Sequence, residues 1–221
     1  MSDKKVIGVI LAGAGYLDGA EIQEAVLALL ALDEAGVEVK MYAPDVELDE
    51  VDHITGKATG ARRNVLLESA RIARGKIADV KSVRGTDVDG WVLPGGYGAA
   101  KNLCNFASEG TSATADKEVA RILREAMAAQ LPVGACCIAP ALLAVVTKNS
   151  GPHLSMTIGS DPDTAQALRS MGARHEEHAV TEACIDAEHK VVTAPAYMYD
   201  ASISDVAAGI RNMVKQVVEW L

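Results

Sequence analysis

The sequence is poor in aromatic residues and in positive charge. Phe, Trp and Tyr make up 4% of its 221 residues, and 21 Lys and Arg stand against 30 Asp and Glu, for a formal net charge of −9. Nucleic acid and anionic membrane surfaces need a basic face on the protein, so this balance argues against both as partners. No apolar run reaches the length of a membrane span.

Cysteine is scarce and shows no paired spacing. The absence of a CxxC motif argues against a disulfide framework and against a structural zinc site. The "HEEH" stretch at residues 175–178 is not HExxH, and we expect it on the surface rather than around a metal. Free thiols fit a reducing environment, taken here as the cytoplasm. The cysteines are Cys104, Cys136, Cys137 and Cys184.

Apolar runs alternate with segments of helical periodicity along the whole chain. This alternation predicts an α/β protein with a doubly wound, mostly parallel sheet covered by helices on both faces. Strands are predicted over residues 5–13, 37–44, 90–96, 132–137 and 153–159, with two more within 181–198. Helices are predicted over residues 20–36, 63–74, 114–130, 138–146, 161–172 and 202–221, with Thr114 and Asp161 as N-caps.

A single domain is expected over residues 1–221. The stretch at 45–63 is polar and punctuated by glycine, and it is interpreted as an excursion from this fold. The polar start of the chain and the apolar run after it favour a buried strand over a signal peptide.

Two adjacent cysteines, in "ACCIAP", follow a short apolar strand. A nucleophile on a tight strand-to-helix turn needs small residues two positions before and after it. Cys137 has Ala135 and Ala139 there, whereas Cys136 has the bulky Ile138 on one side. Cys137 is therefore the candidate nucleophile, and the following helix N-terminus is expected to lower its thiol pKa. The competing interpretation is that both cysteines are inert core residues.

Glycine-rich turns follow two other predicted strands. In "PGGYG", the backbone N–H of Gly96 could join that of Ile138 in an oxyanion hole, although the same pattern also suits a simple tight turn. "GAGYLDGAE" resembles a dinucleotide-binding fingerprint only weakly, because Asp18 stands where a glycine is expected. Most acids near the first helix are expected on a solvated face. Glu24, which begins the run "EAVLALLAL", is the exception that could point inward.

Together, "GAEIQEAV", "LPGGYGAAKNL" and "CCIAP" resemble the DJ/PfpI superfamily, with its class I glutamine amidotransferase-like fold. "HITGKATGARRNVLLESARIARG", "LSMTIGSDPDTA" and "VVTAPAYM" extend the likeness to the ElbB branch, described as glyoxalase-like or isoprenoid-biosynthesis-associated, over nearly the whole chain. The resemblance implies a flavodoxin-like sheet and a homodimer. It also implies Cys137 as the elbow cysteine, Glu24 as its hydrogen-bonding acid, and Gly96 and Ile138 as oxyanion-hole amides.

A cysteine paired with a carboxylic acid suits a small electrophile. The expected function is cofactor-independent conversion of glyoxal or methylglyoxal to a 2-hydroxy acid, through a hemithioacetal on Cys137 with Glu24 moving protons. Glu24 must then have a pKa raised by burial. No metal is required. The alternative is a redox sensor or partner-binding protein with an oxidisable Cys137. A glutaminase would need a late histidine–glutamate pair, which the sequence does not offer.

Overall fold

The computed structural model describes residues 4–149 and 151–221; the polar start of the chain, residues 1–3, lies outside the described residues. Strands and helices alternate as the sequence predicts. The strands are β1 (Val6–Ile10), β2 (Glu38–Ala43), β3 (Glu47–Asp52), β4 (Lys57–Asn64), β5 (Ile77–Asp79), β6 (Gly90–Leu93), β7 (Val133–Cys136), β8 (Ser155–Met156), β9 (Arg174–His175), β10 (Cys184–Asp186) and β11 (Val191–Ala194). The helices are α1 (Ile22–Glu34), α2 (Val65–Ile72), α3 (Tyr97–Lys101), α4 (Phe106–Glu109), α5 (Lys117–Ala128), α6 (Ala139–Thr147), α7 (Pro162–Ser170) and α8 (Ile203–Glu219).

Seven strands form the central sheet in the order β10-β11-β7-β6-β1-β2-β5. All neighbouring pairs run parallel except β10 and β11, which are antiparallel. The crossover from β1 to β2 runs towards one edge of the sheet, and the crossover from β6 to β7 runs towards the other. Because such crossovers are right-handed, α1 and α5 cover opposite faces. The flavodoxin-like, doubly wound architecture is thus confirmed.

Helix caps follow the local chemistry of the chain. Asp161 caps α7 as predicted, since its carboxylate accepts the backbone N–H of Thr164 at 2.8 Å. The predicted cap of α5, Thr114, is wrong. Asp116 caps that helix instead and accepts the N–H groups of Glu118 and Val119. Aspartate sits there because its short carboxylate reaches both free amides of the first turn.

The strand predicted over 153–159 is shorter than expected, since only residues of β8 pair. Beyond them the backbone bonds to side chains. The N–H of Thr157 donates to Thr193 Oγ1, and that of Gly159 donates to Thr157 Oγ1. These local bonds replace the hydrogen bonds between strands, which explains why the apolar pattern ends in a loop.

The 45–63 excursion is an antiparallel hairpin of β3 and β4 with an irregularity between Asp49 and Val51. Leu48, 3% exposed, packs with Ala43 and Val65 in a small separate core. The hairpin therefore closes over one end of the sheet as an insertion into the fold. Among the described helices, none combines the length and the apolar character that crossing a bilayer requires.

Candidate active site

Cys137 occupies a tight turn between β7 and α6. Its φ of 58° lies in the left-handed region, which is uncommon for a residue with a side chain. Ala135 and Ala139 on either side are fully buried, as the elbow pattern requires. Cys136 is fully buried, and Cys137 retains 8% exposure. The structure thus gives Cys137 the elbow position, while Cys136 is enclosed in the sheet.

A cavity of about 440 Å³ opens onto Cys137. It lies at the carboxyl ends of the central strands, where open α/β sheets place their ligands. Gly96 and Ile138 also line it. The remaining lining residues are largely aromatic or apolar: Tyr16, Glu21, Tyr97, Ala100, Phe106, Ala107, Asp161, Thr164, Tyr197 and Met198.

Glu24 lies in the first turn of α1 with its side chain fully buried. Oε2 accepts the backbone N–H of Gly95 at 3.0 Å, and Oε1 accepts that of Tyr197 at 3.1 Å. The inward orientation expected for Glu24 is therefore confirmed. Two backbone amides from different loops hold the carboxyl group in a fixed plane.

The carboxyl group of Glu24 lies next to both cysteines. Cys136 Sγ donates a long hydrogen bond to Oε2 at 3.8 Å. The Cys137 thiol faces the same carboxyl group closely enough for each to shift the pKa of the other. The predicted juxtaposition of Glu24 and Cys137 is present, and the sequence did not indicate that Cys136 would share the carboxylate.

Burial raises the pKa of Glu24 from 4.5 to about 7, and the charge of Glu21 adds to the rise. The N–H groups of Tyr197 and Gly95 and the Cys137 thiol oppose it without compensating. Unlike most buried carboxylates, this one has no arginine or lysine among the hydrogen-bonding partners in the described chain. The raised pKa expected from the sequence is confirmed, and near pH 7 the group exchanges its proton readily.

The pKa of the Cys137 thiol lies well above its ordinary value, and the predicted lowering is wrong. Burial is the main cause, followed by the negative charge of Glu24. The N–H groups of Gly96 and Ile138 point at the sulfur and lower its pKa, but by less. The resting group is therefore a thiol, and a nearby base has to remove its proton when it reacts.

Gly95 and Gly96 are fixed by close packing around this corner. A Cβ on Gly95 would lie 2.4 Å from the Cβ of Cys137 and 2.7 Å from Glu24 Oε2. A Cβ on Gly96 would lie 2.3 Å from the backbone nitrogen of Glu21, and Gly96 has a φ of 90°. The two glycines allow β6 to deliver unhindered N–H groups to the carboxylate and to the sulfur.

Tyr197 is a site residue that the sequence reasoning missed. It follows Ala196, whose φ of 46° marks a second strained turn, directly after β11. This turn aims the N–H of Tyr197 at Glu24, while the phenol bonds to Gln23 Oε1. The stretch "TAPAYM" could have indicated this turn, because small residues there follow a fully buried strand.

The loop "GAGYLDGAE" is part of the scaffold. Its backbone packs on α3, where the N–H of Gly98 donates to Gly19 O at 2.9 Å and a Cβ on Gly98 would lie 2.5 Å from Gly19. The weak dinucleotide pattern is thus explained by this close approach. Asp18 is not on a solvated face as expected: it is 1% exposed and pairs with Arg63 of the hairpin. Arg63 lies beyond the reach of any local pattern, so the burial was not predictable from spacing.

Among the described lining residues of the Cys137 cavity, none is a histidine. His53 contacts Tyr16 from the hairpin, and the others lie away from the cavity near β8, β9 and β10. A cysteine–histidine dyad of the protease or glutaminase type is therefore not assembled within the described chain. The site can instead transfer a proton between sulfur and carboxylate.

The sheet order, the elbow cysteine and its amide-lined cavity define a flavodoxin-like α/β protein of the class I glutamine amidotransferase type. The chain is 42% identical to the rat ES1 protein homolog, mitochondrial, over 96% of its length and 83% of that protein. It is 41% identical to the human glutamine amidotransferase-like class 1 domain-containing protein 3, mitochondrial, covering 96% and 82%. No protein-family model matches the chain.

Solved structures agree with these relatives. An isoprenoid biosynthesis protein with an amidotransferase-like domain from Ehrlichia chaffeensis shares 36% identity at a TM-score of 0.92, over 98% of this chain and 99% of that one. Drosophila melanogaster DJ-1beta shares the fold, with 18% identity and a TM-score of 0.57 over 98% of each chain. The chain belongs to the family of the ES1 and glutamine amidotransferase-like class 1 proteins, which includes the ElbB-type isoprenoid biosynthesis protein. It shares its fold with the DJ-1 superfamily.

The predicted cytoplasmic location is contradicted by these names, since the rat and human relatives are both described as mitochondrial. Unpaired cysteines indicate a reducing compartment. Free cysteines do not distinguish the cytoplasm from another reducing compartment, so they could not support the choice of the cytoplasm.

Proposed function

We propose that this protein is a cofactor-independent, glyoxalase-like enzyme that converts small 2-oxoaldehydes to 2-hydroxy acids. The observation that carries the proposal is the buried pair of Cys137 and Glu24, in which the acid has a pKa of about 7 and the sulfur retains its proton. A carboxylate with that pKa is suited to accept and return a proton at neutral pH. The family names of the relatives are compatible with this activity and do not specify it.

The first step adds the thiol to the aldehyde. The ionised Glu24 removes the proton of Cys137 as the sulfur bonds to the aldehyde carbon, and the carbonyl oxygen becomes an alkoxide. The N–H groups of Gly96 and Ile138, which point at the sulfur in the free protein, lie beside this developing charge. Glu24 then protonates the alkoxide, which gives a neutral hemithioacetal and restores the carboxylate.

The second step moves hydrogen between the two carbons. Glu24 removes the proton from the former aldehyde carbon to give an enediol, and returns it to the neighbouring carbon. The hydroxyl proton of the hemithioacetal carbon passes to the neighbouring oxygen, so that a thioester of a 2-hydroxy acid remains on Cys137. No external oxidant is needed, because one carbon is oxidised while the other is reduced.

The third step releases the product. Glu24 accepts a proton from water as the water oxygen attacks the thioester carbon. The carbon–sulfur bond breaks, and the sulfur takes the proton back from Glu24. A hydroxy acid such as glycolate or lactate leaves the site, and both groups return to their starting states.

The alternative is a redox-sensing or partner-binding protein. A sensor thiol needs thiolate character and access to peroxide. Cys137 is 8% exposed and has a raised pKa, which supports the enzyme over the sensor. Peroxide treatment followed by intact-mass measurement separates the two, since a sensor would be oxidised selectively at Cys137 without turning over aldehydes.

We also propose a homodimer, as the resemblance implies. Support comes from one face of α1, where Ile22, Val26 and Leu30 are 47%, 50% and 42% exposed at successive helical turns. Light scattering should give twice the chain mass of 23.1 kDa for the native protein. The Val26→Lys variant should give the mass of one chain, because the charge disrupts the apolar face. A native monomer would remove this part of the proposal.

The decisive experiment compares the two adjacent cysteines in a glyoxal-turnover assay. We expect Cys137→Ser to lose about 10³-fold or more in kcat/KM, because the nucleophile is removed. Cys136→Ala should stay within about tenfold, since that sulfur is enclosed and only contacts the carboxylate. Full turnover in Cys137→Ser, or an equal loss in both variants, would refute the mechanism.

A further inference from the structure

The edge of the sheet opposite the hairpin carries a second group of reactive side chains, away from the Cys137 cavity. Glu176, His178 and Cys184 each present a ligand atom, and these atoms lie within 4.8 Å of one another. Cys184 is 1% exposed on β10, and the other two lie on the 176–183 loop that leads into that strand. None of the three lines the Cys137 cavity.

The electrostatics of this group are unbalanced in the free protein. Among the described residues, the ion-pair partner of both Glu176 and Glu182 is His178, at 3.7 Å and 3.6 Å. Burial raises the pKa of the Cys184 thiol to about 12, and the charges of Glu176 and Asp186 add to the rise. Two carboxylates, an imidazole and a thiol thus converge without a lysine or arginine ion-paired to either glutamate.

The surrounding groups orient the candidate ligands. Glu182 Oε2 lies beside His178 Nδ1 and is itself held by the N–H of Ala179 at 3.1 Å. This leaves His178 Nε2 facing Glu176. A carboxylate on the far nitrogen of a metal-binding histidine fixes the ring and its tautomer.

The sulfur also has a supporting donor. Thr193 lies directly opposite Cys184 in the β10–β11 pair, and its Oγ1 already accepts the N–H of Thr157. Its own hydroxyl proton is therefore free to point at the sulfur, which lowers the thiol pKa. A hydroxyl donor beside a buried sulfur stabilises the thiolate that a metal would bind.

We propose that Glu176, His178 and Cys184 bind one zinc-class divalent cation, with Glu182 as a positioning residue for His178. Thiolate, imidazole and carboxylate are the ligand types that zinc prefers, and bond lengths of 2.0–2.3 Å put neighbouring ligand atoms about 3.5 Å apart. The ligand atoms already lie within 4.8 Å of one another, so reaching that spacing takes a shift of about 1 Å in their side chains. The sequence prediction of no metal site rested on spacing alone, and this set is assembled by the fold.

The bound cation would tie the 176–183 loop to the edge strand. Tyr199 donates its hydroxyl to the carbonyl oxygen of His178 at 2.9 Å, so the same loop rests on the segment after β11. The role is structural, and it does not depend on the proposed aldehyde chemistry.

Cobalt chloride titrated into the full chain tests the site, because a cobalt–thiolate bond gives a charge-transfer absorption band. We expect saturation at one equivalent, displacement by zinc chloride and a rise in melting temperature. The band should vanish in Cys184→Ser and persist in Cys104→Ser, which removes another buried free thiol. It should also persist in Cys137→Ser.

Two milder variants keep the test decisive if Cys184→Ser does not fold. His178→Gln should weaken cobalt binding by about 100-fold or more. Glu182→Gln should weaken it by about 10–100-fold while the charge-transfer band remains. No thiolate band in the native chain, a band that survives Cys184→Ser, or a band lost in Cys137→Ser would each overturn the proposal.

Discussion

Two buried carboxylates only six positions apart in sequence have opposite surroundings. Asp18 is 1% exposed, and it meets the guanidinium of Arg63, which also contacts Glu50 at 3.0 Å and Glu68 at 2.7 Å. Glu24 is fully buried and meets two backbone amides and two cysteines. Asp18 is paired with a cation, whereas the hydrogen-bonding partners of Glu24 in the described chain are backbone N–H groups and a thiol.

The difference shows how this fold separates stability from reactivity. The carboxylate paired with Arg63 joins the hairpin to the loop before α1. A carboxylate without a cation has its pKa raised to about 7 and becomes a proton carrier. The same residue chemistry therefore serves two purposes, and its partner decides which.

The largest expected effect comes from exchanging each acid for its amide. Glu24→Gln keeps the shape and removes the base, so kcat/KM for glyoxal should fall by about 10²–10⁴-fold. Asp18→Asn should leave kcat/KM within about tenfold. It should lower the free energy of unfolding by about 1 kcal/mol, because it weakens a partly buried ion pair in which Arg63 still has Glu50 and Glu68 as partners.

Steady-state kinetics and urea unfolding of both variants check this double contrast. Similar losses of activity in the two variants would show that Glu24 acts through packing. An unchanged stability for Asp18→Asn would show that the ion pair with Arg63 does not hold the hairpin.

The pH dependence of stability gives the next largest effect. The folded pKa of Glu24 is about 7, above its ordinary 4.5, so its protonated form favours the folded state. That contribution is fully present below pH 4.5 and is lost as the pH rises through 7. Relative to Glu24→Gln, the native protein should lose up to about 3 kcal/mol of unfolding free energy across this window.

Denaturant unfolding of both proteins from pH 4 to 8 measures that difference. The rise of kcat/KM with pH should have its midpoint at the folded pKa of about 7, the upper end of this window, because the carboxylate form is the base. A flat difference between the two proteins would mean that folding does not raise the pKa of Glu24. An activity midpoint far from the upper end of the stability window would identify another group as the base.

The smallest expected effects test the packing around Glu24. Gly95→Ala places a Cβ 2.4 Å from the Cβ of Cys137, which should cost about 2 kcal/mol of stability and displace the sulfur from the carboxylate. Gly36→Ala is the control. It meets nothing within 4 Å but has a φ of 76°, so it should cost about 1 kcal/mol through the backbone alone.

Thermal or urea unfolding, together with glyoxal turnover, separates the two glycines. Turnover should fall only in Gly95→Ala. If both variants lose stability alike and keep their activity, the corner tolerates a side chain, and close packing does not set the position of Cys137.

Local patterns predicted most of the sheet, the major helices and the elbow. Ala135 and Ala139 pointed to Cys137, and the run after Glu24 pointed to an inward acid, because burial of small and apolar residues leaves a readable spacing. Helix bounds shifted where a better cap lay nearby, as with Asp116 in place of Thr114. The short strands β5 and β9 and the helices α3 and α4 were missed, since so few residues carry no periodicity.

The direction of the thiol pKa was the main error at the site. A helix N-terminus lowers a thiol pKa, and this local effect was the one that the sequence displayed. Burial and the charge of Glu24 act in the opposite direction and are larger. Both depend on contacts between residues more than 100 positions apart, which spacing does not reveal.

The sequence by itself determined the alternation of strands and helices, the small residues around Cys137 and the glycine turn after β6, because each follows from local backbone geometry. Only the tertiary structure decided that Asp18 pairs with Arg63 while Glu24 has no described cation as a partner, that Tyr197 turns its amide to the carboxyl group, and that Cys184 lies near His178. Proton affinity and metal affinity depend on the field of neighbouring charges and dipoles, and that field exists only after distant parts of the chain have packed together.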